Sequence, residues 1–273
     1  MLSTFIIALR EGLEAALIVG ILVAYIVRTD RRHLLKPVWT GVTLAIAASL
    51  ALGGILSYTS AELSSRGEEL FAGITSFLAV ALVTWMVFWM KRTARRLRAE
   101  LPTKAEVAIT AGPLALALAA FFAVAREGLE TSLFLYTNFK TVGAVSTATL
   151  GLILGLALAV GLGIGIYKSA IRIDLGKFFT YSGVALIIIA AGVLSYGIHE
   201  FQEFGLLPAP DAFVWDVTSW MPKESFIAGL LAGMVGFDTT TSWLQLCGWL
   251  TFVGFTLSAY LKPAKRVKAA ASA

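Results

Sequence analysis

Phe5-Ile-Ile-Ala-Leu-Arg-Glu-Gly-Leu-Glu-Ala-Ala-Leu17 and Phe121-Phe-Ala-Val-Ala-Arg-Glu-Gly-Leu-Glu-Thr-Ser-Leu133 align at an offset of 116 residues, with Arg-Glu-Gly-Leu-Glu repeated intact. Each copy lies inside an apolar run, near 4–27 and 113–139. Further runs near 38–57, 70–90, 145–167, 178–198 and 240–261 also reach the roughly 20 residues that cross a hydrocarbon core. Seven transmembrane helices are predicted. The copies fall in spans one and four, which cross in opposite directions, so spans 1–3 and 4–6 form an inverted repeat with a seventh span added. Proteins built on such repeats place a bound substrate near the midplane, where the halves meet.

Composition agrees with an all-α integral membrane protein. Of 273 residues, 58% are hydrophobic and 14% charged, against roughly 45–50% and about 25% in soluble domains. The chain reads as one transmembrane domain, 1–273. Its parts are a first three-helix repeat (1–105), a second (106–205), and an outer segment, seventh span and basic tail (206–273). No stretch outside the spans is long enough for a soluble catalytic domain. No Gly-x4-Gly-Lys-Ser/Thr phosphate loop occurs. Met1-Leu-Ser-Thr carries no basic residue and three charges interrupt the first run, so the first span is expected to be retained rather than cleaved as a signal peptide. One cysteine, Cys247, and two histidines leave no thiolate or imidazole cage.

Basic residues mark the cytoplasmic side of membrane helices. Seventeen of the 22 lie in one set of loops: Arg28 to Lys36, Lys91 to Lys104, Lys168 to Lys177 and Lys262 to Lys268. The other side holds only Arg66, Lys140 and Lys223, and it collects acids, among them Glu62, Glu68, Glu69, Glu200, Glu203, Asp216, Glu224 and Asp238. The N-terminus is therefore predicted outside and the C-terminus cytoplasmic. The basic stretch 91–104 reads as an anchor on anionic lipid, not as a nucleic-acid site.

Six charges remain inside apolar runs: Arg10, Glu11, Glu14, Arg126, Glu127 and Glu130. Each costs about 2.5–3.5 kcal/mol at a helix centre, so the set must face the bundle interior and find partners. At about 100° per residue, Arg10 and Glu14 lie about 40° apart, and Glu11 about 60° from Glu14. Gly12 and Gly128 would let another helix approach beside them. Pairing each arginine with the glutamate four residues on would make a buried ion-pair lock between halves. It would leave Glu11 and Glu127 without basic partners and the ionised set two charges negative, a deficit that a multivalent cation or protons must fill. Oxygen ligands suit magnesium, manganese, calcium or ferric iron.

The motif pair, together with Glu68-Glu69-Leu-Phe-Ala-Gly-Ile, Thr84-Trp-Met-Val-Phe-Trp-Met-Lys91 and Ala190-Ala-Gly, resembles the high-affinity iron permease family, which has fungal Ftr-type and bacterial EfeU-type branches. The likeness covers most of residues 1–205 and points to the bacterial branch. It implies iron as the transported ion and a multi-pass place in a bacterial inner membrane. It also implies Glu11, Glu14, Glu127 and Glu130 as metal ligands or relay groups, with Arg10 and Arg126 as counter-ions. No cofactor and no enzymatic activity are implied; the periplasmic partners implied are an iron-binding protein and a haem peroxidase. The residues alone also fit a permease for manganese or lead. Paired glutamates on antiparallel helices further resemble an intramembrane di-iron oxidase, but such sites use Glu-x-x-His, and here both fourth positions are Glu.

A second group, His199, Glu200 and Glu203 at the end of span six with Glu68 and Glu69 before span three, could form an outer capture site. Gly151/Gly155 and Gly161/Gly165 read as helix-packing pairs. Thr84, Trp85 and Trp89 fit an interfacial belt, with Thr84 a candidate for an exit path. Residues 225–236, apolar but short, read as an outer interfacial or re-entrant segment.

Overall fold

The computed structural model describes residues 2–142, 145–168, 174–222 and 225–262. In chain order it contains α1 (Leu2–Arg28), a 3-10 turn (Arg32–Leu34), α2 (Leu35–Glu62), α3 (Ser65–Thr110), α4 (Pro113–Val142), α5 (Val145–Tyr167), α6 (Leu175–Glu203), β1 (Phe213–Asp216), α7 (Phe226–Val235), β2 (Thr240–Ser242) and α8 (Trp243–Leu261). Helix starts follow side-chain chemistry. Ser64, Asp174 and Ser225 each accept a backbone N–H of the first turn, and Ser242 forms a capping box with Gln245.

Seven helices of 19 residues or more coincide with the seven apolar runs. Five segments, within α2, α3, α5, α6 and α8, are long and apolar enough to cross a membrane. In α1 and α4 every comparable stretch contains at least three charges, nearly all from the repeated motif. Leu50, Ile55, Phe122, Ile153 and Phe255 stand more than half exposed on the outside of the bundle, an apolar surface suited to lipid and not to water. α3 runs past the predicted end of its span to Thr110, because residues 92–101 are nearly all good helix formers. Arg172, Lys223, Glu224, Lys265, Arg266 and Lys268 of the charge division lie outside the described residues.

The repeats do not pack as separate three-helix units. α1 packs chiefly on α5, α2 on α4, and α3 on α6, so each half lends its first helix to the second helix of the other. Small residues permit this. A Cβ on Gly155 would meet the Phe5 carbonyl at 2.6 Å and the Ala8 methyl at 2.8 Å, and one on Gly12 would meet the Ala159 methyl at 2.9 Å. The repeat-related Gly128 makes the same kind of approach to Ser49 of α2, where Ser132 Oγ donates to the Ser49 carbonyl at 2.7 Å. Of the predicted packing pairs in span five, Gly155 serves this purpose, whereas Gly161 faces open space.

Residues 206–222 and 225–242 fold back beside α6. β1 pairs antiparallel with β2, and Ser242 Oγ, at the start of α8, donates to Gln202 Oε1 near the end of α6. Between the strands α7 dips inward and ends at Gly236, whose left-handed φ of 73° closes the helix. Gly236 rests backbone to backbone on Gly192, ten residues or about 15 Å below Gln202 along α6. The segment thus enters and leaves at the same end of the bundle. α8 then runs antiparallel to α6, with Gln245 bonded to Ser195 O and Tyr260 to Phe179 O.

Candidate functional site

α1 and α4 meet near their middles and bring the two motifs together. Carboxylate oxygens of Glu11, Glu14 and Glu127 lie within 4.8 Å of one another, and all three residues are buried. That spread is about twice the roughly 2.0–2.6 Å bond of a hard cation to oxygen, so a single ion could bridge the group. Glu130 stands just outside the triad, held by Arg126 Nε at 3.2 Å.

Both i,i+4 ion pairs form, Arg10 with Glu14 and Arg126 with Glu130, each at 3.2 Å. Each arginine also reaches its neighbour, Glu11 at 3.7 Å and Glu127 at 3.9 Å. Glu11 and Glu127 are therefore not isolated from positive charge, as helix geometry alone had implied. They share the cations with their own motif partners. The Glu11 and Glu127 carboxylates also face each other across the crossing, an approach that a proton or a cation between them would relieve.

Two arginines cannot saturate four carboxylates. Glu11 Oε2, Glu127 Oε2 and Glu130 Oε2 are buried without a hydrogen-bond partner, whereas Glu14 Oε1 has its 3.2 Å ion pair with Arg10. Orphaned buried anionic oxygens are costly and call for a ligand.

The second predicted group is also brought together. His199 Nε2 lies 4.0 Å from Glu203 Oε1. Glu200 accepts a hydrogen bond from Tyr196 and lies within electrostatic reach of Glu68, Glu69 and Glu203. His199, Glu200 and Tyr196 line a cavity of about 280 Å³ together with Gly192, the small-residue face of α7, and Asp238. Sequence reasoning overlooked Tyr196, although it lies one turn before Glu200, and it had placed Asp238 only among the outer acids. Asp238 reaches the cavity because the hairpin carries it there. Of the predicted aromatic belt, Trp85 is 68% exposed and fits. Trp89 does not, because its ring lies under the Arg126 guanidinium at 4.2 Å. Thr84 Oγ1 is occupied by the Val80 carbonyl at 2.7 Å.

A helical bundle with apolar, membrane-length helices and a buried, oxygen-lined charge cluster at its centre defines a membrane protein of the permease type. The iron permease FTR1 family matches residues 1–263, and the chain belongs to it. The match continues through the α7 region, beyond the likeness read from the motifs. The ferrous iron permease EfeU of Escherichia coli O6:H1 is 37% identical over 266 residues, 96% of each chain. The same protein of Escherichia coli O157:H7 shows equal identity and coverage. That of Yersinia pestis is 35% identical over 241 residues, 87% of this chain and 85% of its own. No solved structure matches the chain.

Proposed function

We propose that this chain imports iron across a bacterial inner membrane, passing it between the carboxylates of the two Arg-Glu-Gly-Leu-Glu motifs. The observation that carries the reading is the buried Glu11, Glu14 and Glu127 triad, with Glu11 Oε2 and Glu127 Oε2 left without a partner. α1, α2, α3, α4, α5, α6 and α8 are the seven spans, and the reciprocal packing of α1 on α5 and α2 on α4 supports an inverted repeat. The charges of α1 and α4 are compatible with spanning because they face inward. Glu130 relays the ion and Arg10 and Arg126 balance the cluster. Metal analysis of purified protein tests the reading. Iron bound by the unaltered protein and lost from Glu11→Gln and Glu127→Gln supports it, and equal iron in all three overturns it. The manganese or lead reading is separated by competition against radioactive iron uptake. Periplasmic partners, an iron-binding protein and a haem peroxidase, belong to this proposal as what the family resemblance implies.

The direction of uptake rests on the basic residues. A reporter fused after Ala273 is expected to read cytoplasmic; a periplasmic signal would overturn both the orientation and the seven-span count.

The cavity beside His199 and Glu200 serves as the outer capture site, with Glu203, Glu68 and Glu69 adding negative potential. Alanine at His199, Glu200 and Glu203 together is expected to raise the half-saturating iron concentration several-fold while leaving the maximal rate nearly intact, because local concentration matters least when substrate is abundant. An unchanged half-saturation would reduce the three to a solvated helix end.

A further inference from the structure

The two motifs are identical in sequence, yet their arginines stand in different surroundings. Arg10 is sealed, with its side chain 1% exposed, its Nε paired with Glu14 and its Nη1 with Glu11. Arg126 is 38% exposed, more than either glutamate it pairs with. Its guanidinium is held by Glu130 at 3.2 Å and, more loosely, Glu127 at 3.9 Å, and lies over the face of Trp89 at 4.2 Å. No cation–π contact to Arg10 exists among the described residues.

Trp89 is anchored at one end of the bundle. Two residues on, Lys91 Nζ donates to the carbonyls of Tyr260 and Lys262, the latter at 2.8 Å, and lies over the Tyr260 ring. This ties the stretch of α3 that carries Trp89 to the end of α8. Trp89 and Arg126 therefore stand between the carboxylates and the face where α8 ends, which is opposite to the cavity of His199 and Glu200.

A cation that binds Glu127 through its unpartnered Oε2 must compete with Arg126, paired at Oε1, for the charge of the same carboxylate. A guanidinium displaced without another partner would return to the carboxylates. An aromatic face offers a place for it that carries no negative charge and takes no ligand from the metal.

We propose that Trp89 is a positioning residue for cation binding and release: it holds Arg126 at the lip of the carboxylate cluster, so that the guanidinium yields Glu127 and Glu130 to the incoming cation and reclaims them as the cation leaves. The proposal rests on the reading of the central carboxylates as the cation site. It assigns the inner lip to the second motif alone, which the repeat by itself would not distinguish from the first.

The test is a double-mutant cycle on the full chain in detergent: Trp89→Leu, Arg126→Gln and the double variant, with Trp89→Phe as the conservative change. Binding of ferrous iron under anaerobic conditions and thermal midpoint are measured for each. Trp89→Leu is expected to weaken iron binding about two- to thirty-fold, the range of a cation–π contact from exposed to desolvated. Trp89→Phe should restore most of the loss. In the Arg126→Gln background, Trp89→Leu should have no further effect. Additive losses in the double variant, or binding by Trp89→Leu equal to the unaltered protein, would overturn the proposal. Should Trp89→Leu fail to fold, Trp89→Phe with and without Arg126→Gln decides by the same criterion, because its smaller loss must likewise vanish when the arginine is absent. Glu127→Gln, measured alongside, separates the two levels. If it leaves binding unchanged, the central site itself is wrong; if it abolishes binding while Trp89→Leu does not alter it, only the role of Trp89 fails.

Discussion

Gln in place of Glu11, Glu14 or Glu127 is expected to abolish iron uptake while leaving a folded protein. Glutamine keeps the shape and one hydrogen-bonding oxygen but removes the charge. With all groups ionised the cluster is two charges negative, which matches a divalent cation. Losing one carboxylate leaves it one charge negative with one ligand fewer. Stability survives because the removed charge also removes repulsion among carboxylates held within 4.8 Å. Glu130→Gln should impair uptake as well, through loss of the 3.2 Å bond that steadies Arg126. Arg10→Gln should behave in the opposite manner. Its side chain is fully enclosed between Glu11 and Glu14, and removing one partner of a buried pair costs about 3–5 kcal/mol. Radioactive iron uptake and detergent thermal midpoints, measured on the same preparations, distinguish these outcomes. If the glutamine variants lost fold and transport in parallel, the buried ion-pair lock would be the better account. Normal uptake by all of them would move the site elsewhere.

Gly192→Val should be nearly as damaging, although it changes no charge. A Cβ at Gly192 would lie 2.6 Å from Gly236 Cα and 2.8 Å from its nitrogen. Both obstacles are backbone, so no rotamer change relieves the clash. Overpacking of this kind costs about 1–3 kcal/mol. The expected result is that α7 lifts from α6, the cavity of about 280 Å³ loses its wall, and uptake falls by more than tenfold. The hydrogen bond from Trp249 Nε1 to the Val235 carbonyl, 2.7 Å long, should break as well. Limited proteolysis between residues 206 and 242 should therefore accelerate in the variant. Unchanged proteolysis and uptake would show that α7 does not need this seat.

The motif-bearing segments were legible as a site because charge in an apolar run is a local anomaly with a large free-energy cost. Arg10, Glu11, Glu14, Arg126, Glu127 and Glu130 announce an inward-facing cluster before any helix is placed. The positions of the long helices were legible for a related reason, since apolar length and end signals are properties of contiguous sequence. Gly12 and Gly128 could be read as close approaches, but not which helices would approach. That α1 meets α5 and α4 meets α2 depends on the fit of apolar surfaces far apart in the chain, and Leu, Ala and Gly faces look alike in composition. The same limit hid the left-handed Gly236 seated on Gly192, which turns a short apolar stretch into the wall of a cavity. It also hid Trp89. An aromatic residue near a helix end reads as a membrane belt until the bundle closes and sets a guanidinium over its ring. Sequence alone determined which residues carry the charge and that they must be enclosed. Tertiary packing decided how they share it: three carboxylates gather within reach of one ion, Glu130 is set aside for Arg126, and two identical motifs become unequal because only one arginine meets an aromatic face.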